Sequence, residues 1–544
     1  CFTPHNKKEY IMSSQTSSFL LVLLPLFWTL MSWFSGPRNT FFSKLYIERI
    51  AIWGSIILFA ISLVVGFIEN NTASVSTMLV TLSPLKSAVI LTVVAIGVIL
   101  MRFSRNYFVG EACYPRFLKW MQLTLASVVI TILANHLIVF WFGWLAVSLS
   151  LHNLLLLYPD RPRAIVAAHK KFILARTSEL FMAGAFALLY LAFDTLYINQ
   201  IVNALVQTSL INSDALSSTQ QEYTELAACC IAIAALIKCA QLPAHGWLIN
   251  IVEAPTPVSA LLHAGVINLG GYLLLAFAPL IALHASAQWI LAVGAGLSVL
   301  FSALAMTTRV TVKVRLAWST SSQMGLMLVE CALGLYSLAL IHLVAHSFYK
   351  AYAFLNSGSA VFEALEDDIS AHRTPQFADW LNALFVTSLI VLASFSFAEY
   401  QGPLSPWLLI TLAFTAYIAT RTANSDQTQL YVLVGISIVL ISLYSTAKDM
   451  VTRYLFAHFP APASMLSTID IWVVSLIAAL FIIHIAMQTF GHKPAVQQFK
   501  QLLFAGLYLD EWFTKITLKV SPISLRKRST TKQTSASVTH IGGK

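Results

Sequence analysis

Charged residues are scarce in this chain, and their scarcity excludes most soluble folds. Only 10% of the 544 residues are Asp, Glu, Lys or Arg, whereas 58% are hydrophobic. A soluble globular domain carries about 25% charged residues, so the composition indicates a membrane protein. The formal net charge of +10 is modest for this length and lies in loops and the tail. We therefore predict no binding of nucleic acid.

Cysteine is also sparse, and its spacing is unlike that of a metal site. The chain has six cysteines; none forms a CxxC pair, and most lie in apolar segments. Zinc and iron–sulfur sites need closely spaced thiolates, so we expect neither a metal nor another cofactor on this chain. A nucleophile with a neighbouring general base is not recognisable either. An autonomous enzyme is therefore the least expected function.

Long apolar runs, in contrast, are abundant. A run of about 17–25 such residues can cross roughly 30 Å of hydrocarbon as a helix. The sequence predicts an all-α polytopic membrane protein with about 14–15 transmembrane helices. The predicted spans are 13–34, 50–68, 84–101, 117–134, 137–157, 170–193, 223–248, 256–283, 287–306, 316–335, 338–358, 379–398, 404–420, 429–447 and 469–487.

Positive charge is unevenly divided between the predicted loops. The loops after the first, third and fifth spans contain Lys and Arg, including Lys170 and Lys171, whereas 69–83 and 194–222 contain none. Because cytoplasmic loops are enriched in these residues, the odd-numbered connections are predicted to be cytoplasmic. An odd number of spans then places the C-terminus in the cytoplasm. Lys448 and Arg453 are exceptions on the predicted outer side.

The chain divides into five predicted regions. Apolar and charged residues alternate at 499–520, which predicts an interfacial helix lying against membrane lipid. The regions are 1–12, an upstream or non-native extension before the first span; 13–101, N-terminal transmembrane helices; 102–420, a core that holds the polar motifs; 421–487, C-terminal transmembrane helices; and 488–544, a cytoplasmic interfacial helix and basic tail.

Lys238 lies well inside an apolar run, shortly before Pro243. A charge at the bilayer centre costs at least about 2.5–3.5 kcal/mol, so this lysine requires a reason. Proline removes a backbone donor and frees carbonyls that could hold water or an ion, and broken helices beside polar sites are typical of transporters. We predict that Pro243 breaks the helix beside an ion-handling Lys238. A lysine that snorkels to the cytoplasmic face is the alternative.

Three basic residues share one stripe in IHLVAHSFYKAYAFLNSG. His342, His346 and Lys350 are spaced i, i+4, i+8, so they lie on one face of a helix. Histidine titrates near neutral pH, and burial disfavours the charged form of a lysine. The trio predicts a proton-relay row, with histidines satisfied inside the core as the alternative.

Three other residues are weaker candidates for ion translocation. His263 lies on the span after the break and could face Lys238. Glu179, in ARTSELF, could modulate a buried lysine or could pair with Arg176. Glu399 lies near the outer end of its span, where a solvated face is the alternative.

The stretch KCAQLPAHGWLINIVEAPTPVSALLHAG resembles the signature of the proton-translocating subunits of respiratory complex I and of the Mrp sodium/proton antiporters. VKVRLAWSTSSQMGLM (312–327) and HLVAHSFYKAYAFLNSGSA (342–360) agree with the same signature in the same order. The resemblance implies an antiporter-like core of two inverted repeats with broken helices and a polar axis through the membrane.

Residue by residue, the resemblance implies that Lys238 and Lys350 handle protons and that His263, His342 and His346 connect them. The connecting residues would pass protons along the polar axis, and the break at Pro243 would open the backbone beside the first lysine.

Departures from that signature indicate which member of the superfamily the chain resembles. Leu145, in FGWLAVS, replaces the glutamate that pairs with the lysine of the broken helix, and Ala398 occupies the place of a second lysine. With the ending GLYLDEWFT, the chain looks most like the DabB family, the membrane subunits of the DAB inorganic-carbon transporters of bacterial inner membranes. In that family the membrane subunit pairs with DabA, a peripheral cytoplasmic zinc protein related to β-carbonic anhydrases.

The resemblance implies an ion-translocating subunit of a two-component inorganic-carbon uptake system. Flow of protons, or of sodium ions, would drive hydration of carbon dioxide to bicarbonate on a DabA-like partner, which would hold the zinc. One alternative is a cation/proton antiporter or a complex I-like pumping subunit. The other is a membrane scaffold that only docks a peripheral enzyme, an alternative kept open by the missing glutamate at Leu145.

Overall fold

The described part of the chain is almost entirely helical. The computed structural model describes residues 22–36, 44–69, 79–158, 161–211, 217–359, 375–397, 402–422, 427–456, 459 and 462–520. Strand pairing within these residues is limited to isolated bridges such as Val80 with Ala134. The predicted extension 1–12 and the basic tail beyond residue 520 lie outside the described residues.

The helices follow the predicted spans in order. They are α1 (Val22–Phe34), α2 (Lys44–Glu69), α3 (Pro84–Tyr107), α4 (Tyr114–Leu133), α5 (Leu137–Leu155), α6 (Pro162–Phe193), α7 (Ile198–Ile211), α8 (Ser218–Lys238), α9 (Gly246–Asn250), α10 (Thr256–Ala264), α11 (Leu269–Ala276), α12 (Ala278–Leu283), α13 (Ala285–Thr307), α14 (Val312–Ala332), α15 (Tyr336–Leu355), α16 (Phe377–Phe397), α17 (Ser405–Thr422), α18 (Gln427–Leu455), α19 (Thr468–Thr489), α20 (Pro494–Phe504) and α21 (Leu509–Val520).

Ten helical segments in the described part of the chain are long and apolar enough to cross a membrane. The α8 and α14 helices are not among the ten, although both coincide with predicted spans; each carries several polar residues. The all-α polytopic fold is therefore confirmed. The division into five regions stays a prediction.

The centre of the fold is the segmented helix α10–α12. It packs against α3, α8, α14 and α15, and its membrane-length stretch Thr256–Ala276 is 94% buried. The sequence predicted a span at 256–283; a candidate span lies there, at Thr256–Ala276, but the helix is divided into segments. The chain turns at Gly265, where a Cβ would come within 2.9 Å of the Leu261 carbonyl oxygen. Asn268 Nδ2 donates to the freed Ala264 carbonyl at 2.9 Å, which satisfies the backbone inside the core.

Two segments differ from their predicted structures. One was predicted to be a loop and the other a single helix. The predicted loop 194–222 contains α7, whose buried residues Ile198, Ile201 and Leu205 recur at helical spacing. The predicted interfacial helix 499–520 is divided into α20 and α21, because Gly506, Leu507 and Tyr508 adopt positive φ angles between them. A helix cannot continue through left-handed residues.

Candidate functional site

The α15 helix carries one buried basic cluster. His346 and Lys350 are 3% and 0% exposed, and the rings of His342 and His346 lie 6.2 Å apart. Lys350 Nζ donates to Ser319 Oγ of α14 at 2.8 Å and contacts the Leu316 carbonyl oxygen at 3.4 Å. The predicted row therefore lies along the contact between α14 and α15.

Glu330 of α14 supplies a carboxylate to this cluster. Its Oε1 and Oε2 lie 3.0 and 3.2 Å from His342 Nδ1, and the residue is 6% exposed. A buried carboxylate needs a hydrogen-bonding or charged partner, and His342 provides one at the end of the row opposite Lys350. The cluster thus contains both an acid and a base at membrane depth.

His263 belongs to the same cluster, because α10 packs against α15. Its Nδ1 lies 3.1 Å from Thr320 Oγ1, and its ring stacks on Phe354 with centroids 4.3 Å apart. The sequence suggested instead that His263 could face Lys238. The turn at Gly265 follows directly after α10, and it makes α10 a separate short segment in contact with α15.

Several buried imidazole nitrogens in this cluster have no protein hydrogen-bond partner in the described structure. They are His263 Nε2 and both ring nitrogens of His346. Leaving a buried polar atom unpaired costs about 1–3 kcal/mol. At His346, therefore, no protein hydrogen bond in the described structure fixes which ring nitrogen carries the proton.

Lys238 occupies a second cluster, formed by α5, α6 and α8. It is the last residue of α8, is 8% exposed, and its Nζ lies 4.3 Å from the centre of the Trp144 ring. A cavity of about 20 Å³, roughly one water in size, is lined by Lys238, Lys171 and Ser178 together with apolar side chains. The burial excludes the alternative in which Lys238 snorkels to the surface.

The acid of this second cluster is Glu179, which pairs with Arg176 at 2.8 Å. Arg176 also donates to Ser148 Oγ at 2.9 Å, and Lys171 donates to the Ser148 carbonyl oxygen at 2.7 Å. Glu179 interacts electrostatically with Lys171 and Lys238 as well. The pairing of Glu179 with Arg176 is therefore confirmed, and its effect on the buried lysines stays a prediction.

The break after Lys238 begins earlier than Pro243. Ala240 adopts a left-handed φ of 51°, which ends α8 before the proline is reached. The freed carbonyl oxygen of Cys239 accepts from Gln241 Nε2 at 2.8 Å, and that of Ala240 accepts from Ser321 Oγ at 3.0 Å. The sequence suggested that freed carbonyls could hold water or an ion. These two are satisfied by side chains instead.

The sequence analysis also singled out Leu145, Ala398 and Glu399. Leu145, where the superfamily signature has a carboxylate, follows Trp144 on α5, and in the Lys238 cluster it is the aromatic face of Trp144 that lies against Lys238. Glu399 and Ala398 lie outside the described residues. Among the residues that are described, no group of three or more His, Cys, Asp or Glu side chains is arranged to hold a metal ion.

Sequence reasoning missed two charged residues. Lys171 was assigned to a cytoplasmic loop together with Lys170, but both lie on α6 and are 5% and 2% exposed; the assignment is wrong because α6 begins at Pro162 rather than near 170. Glu330 was overlooked although it is a carboxylate within a predicted span. That position alone marks an intramembrane functional candidate.

The comparisons with known proteins identify a matching family over the part of the chain that contains both clusters. The family described as NADH:quinone oxidoreductase/Mrp antiporter, TM, matches residues 134–396, a range that includes both clusters. The Mrp complex from Dietzia sp. has a TM-score of 0.53 at 19% identity, covering 93% of this chain and 55% of that chain. At that identity the likeness concerns the fold alone, and the chain spans about half of the Mrp chain's length.

Two relatives are similar over nearly their whole lengths. "Probable inorganic carbon transporter subunit DabB" of Hydrogenovibrio crunogenus is 41% identical over 506 residues, 90% of this chain and 94% of that protein. "Probable inorganic carbon transporter subunit DabB2" of Halothiobacillus neapolitanus is 29% identical over 533 residues, 94% of this chain and 95% of that protein.

Fold and site together define a multi-pass membrane subunit of the antiporter-like class, with buried basic and acidic groups beside segmented helices. Within that class, the chain belongs to the DabB family. The resemblance seen in the motifs is thereby confirmed.

Proposed function

We propose that the chain is the ion-translocating subunit of a two-component inorganic-carbon uptake system. A cation, most simply a proton, would move down its gradient through the two clusters. That movement would drive carbon dioxide hydration and bicarbonate accumulation on a peripheral DabA-like zinc subunit in the cytoplasm. This chain would lie in the bacterial inner membrane with its C-terminus on the cytoplasmic side.

The observation that carries the proposal is that each of the two clusters contains a buried lysine and a buried carboxylate. Lys238 lies in a cluster with Glu179, and Lys350 in a cluster with Glu330. Each intramembrane charge costs at least about 2.5–3.5 kcal/mol, which a purely structural subunit has no reason to accept. The full-length similarity to proteins named as inorganic carbon transporter subunits supports the carbon substrate.

In the proposed mechanism, each lysine alternates between charged and neutral forms as the cation passes. The Trp144 face and Glu179 stabilise the charged form of Lys238. Ser319 and the Leu316 carbonyl stabilise the charged form of Lys350. His263, His342 and His346 would exchange protons with Lys350. The chain's own chemistry is proton or cation transfer, and hydration of carbon dioxide is assigned to the partner.

A rescue experiment tests this proposal. The chain is expressed with the protein encoded next to it in cells that lack carbonic anhydrase, and growth is measured in ambient air. We expect rescue that an uncoupler abolishes. Failure of a folded complex to rescue growth would overturn the carbon-uptake assignment. Co-purification with a quinone-reducing complex would favour the complex I-like alternative instead.

One observation favours a second candidate, a membrane scaffold with no working ion path. Leu145 stands where the superfamily signature has its glutamate, so the Lys238 cluster lacks a direct carboxylate from α5. The scaffold predicts that Lys238→Met and Lys350→Met keep full rescue. The ion-path proposal predicts that both variants lose rescue while still binding the partner, with Arg453→Met on the exposed face of α18 as the unaffected control.

A further inference from the structure

The C-terminal helix α21 is bound to the core through one carboxylate. Lys170 Nζ donates to both oxygens of Asp510, at 2.7 and 2.8 Å, and Asn250 Nδ2 donates to Oδ2 at 2.9 Å. Lys170 is 2% exposed, whereas the Asp510 side chain is 33% exposed. A buried ammonium that lost this carboxylate would be left unpaired at a cost of several kcal/mol. Asp510 therefore anchors α21 strongly at this point.

Gly246 makes room for this contact. A Cβ at Gly246 would overlap the carboxylate and the Cβ of Asp510. Neither group could shift far, because Asp510 is held by Lys170 and Asn250 at the same time. The glycine in the AHGW motif is thus explained by the close approach of α21 rather than by its own backbone angles.

The two side chains that bind Asp510 lie on different helices beside the Lys238 cluster: Lys170 on α6 and Asn250 on α9. Lys170 precedes Lys171, which lines the cavity beside Lys238. Gly246 and Asn250 begin and end α9, the first helical segment after the break that follows Lys238. A displacement of the break or of this part of α6 would therefore reach Asp510 directly, through hydrogen bonds rather than through a mobile loop.

A second anchor ties the segment that precedes α21 to the other half of the core. Arg309, between α13 and α14, donates to the carbonyl oxygens of Phe504 and Leu503 at 2.7 and 3.0 Å. The Arg309 guanidinium also lies 5.0 Å from the ring of Trp318, and that ring lies 4.9 Å from the ring of His245 in the break. The segment 494–520 is thus fastened to α6 and α9 through Asp510 and to the α13–α14 connection through Arg309.

We propose that α21 is a strap that couples the Lys238 cluster to the partner side of the protein, and that Asp510 is the positioning residue of this strap. When the charge at Lys238 changes, the break and α9 shift, and Asp510 transmits the shift to α21. This proposal rests on the proposed function in one respect only: ion movement is what changes the charge at Lys238. The anchoring itself is a property of the structure.

Hydrogen–deuterium exchange of the full chain in complex with its partner tests the coupling without any transport assay. Asp510→Asn and Gly246→Ala should each speed exchange in 246–250 and 509–520 by about tenfold, since each weakens a charge-assisted hydrogen bond. Glu511→Gln, an exposed neighbour of Asp510, is the matched control and should change neither segment. Asn250→Ala is a milder variant for the case in which one of the first two fails to fold.

The decisive comparison uses the two lysines of the core. Lys238→Met should change exchange in 509–520 by at least about threefold, whereas Lys350→Met in the other cluster should leave it unchanged. Equal exchange in wild type and Lys238→Met would overturn the coupling, and no effect of Asp510→Asn would overturn the anchoring. If the wild-type chain itself fails to rescue carbon-limited growth, the proposed function is overturned. The exchange results would still show whether α21 is coupled to the Lys238 cluster.

Measuring carbon uptake together with co-purification of the partner distinguishes a coupling role of α21 from a simple docking role. Asp510→Asn should lower the rate of carbon uptake by about tenfold while the partner still co-purifies, because the contact it loses lies inside the chain. Loss of the partner together with uptake would show that Asp510 serves docking and would overturn the positioning role.

Discussion

Glu330 and His342 face each other between α14 and α15, with the carboxylate Oε1 3.0 Å from the imidazole Nδ1. The pair gives the Lys350 cluster an acid of its own. The row on α15 thus ends at a carboxylate on one side and at Lys350 on the other. In the proposed relay, the row would therefore have an acidic group, Glu330, at one end and a basic group, Lys350, at the other.

Glu330→Gln should impair transport more than folding. The amide still offers an oxygen to His342 but cannot carry the charge that favours a protonated imidazole. We expect carbon uptake in complemented cells to fall by at least about tenfold, a change of roughly 1.4 kcal/mol. Glu222→Gln at the exposed start of α8 is the control. Uptake equal to wild type in Glu330→Gln would remove Glu330 from the path.

Lys350→Met should leave the protein folded while abolishing uptake. The ammonium is fully buried, so replacing it with a linear apolar side chain of similar length removes a desolvation cost. We expect the unfolding temperature in detergent to stay the same or rise, and uptake to be lost. A variant that transports normally would favour the scaffold, and one that unfolds would show that Lys350 is structural.

Trp144 and Lys238 should be energetically coupled. The ammonium lies over the indole face at 4.3 Å, a contact worth about 0.5–2 kcal/mol. In a double-mutant cycle on unfolding, Trp144→Leu and Lys238→Met should show a coupling energy of that size. The exposed Trp53 provides the control pair, for which the effects of Trp53→Leu and Lys238→Met should simply add.

Asp470 should be essential for stability and unrelated to transport. It is fully buried, and its carboxylate accepts from the backbone N–H groups of Leu404, Ser405 and Leu466 at 2.7, 3.0 and 3.1 Å. Asp470→Ala strands these donors at about 1–3 kcal/mol each. We expect a marked fall in unfolding temperature, a smaller fall for Asp470→Asn, and none for the exposed Asp449→Asn.

Cys113 offers a test of membrane orientation. It lies between α3 and α4, in a connection that the positive-inside pattern places in the cytoplasm. Burial raises the pKa of its thiol, so labelling should accelerate as the buffer is made more alkaline. With the other cysteines replaced by alanine, a membrane-impermeant maleimide should label Cys113 only in opened cells.

The control for orientation is Thr219→Cys in the same background. Thr219 lies in the first turn of α8, on the side predicted to face outward. It should be labelled in intact cells, and labelling of Cys113 in intact cells would reverse the predicted topology.

Much of the candidate site was predictable because membrane burial makes charge conspicuous. Lys238, Lys350 and His346 stand out in apolar runs, since an intramembrane charge has few purely structural uses. Glu330 carried the same signal and was overlooked. Lys171 could not be found this way. A lysine close to the end of a span has the same sequence pattern whether it is buried in a helix or lies in a cytoplasmic loop that fixes orientation.

The sequence by itself determined the all-helical membrane class, the superfamily, and which lysines and histidines lie within apolar segments. Hydropathy and helical spacing are local properties, so they survive without knowledge of the fold. Tertiary structure alone decided that α8 ends before Pro243, that His263 joins the Lys350 cluster, and that Asp510 reaches Lys170. These depend on which helices pack together and on which side chains satisfy broken backbone, and neither is encoded in a local pattern.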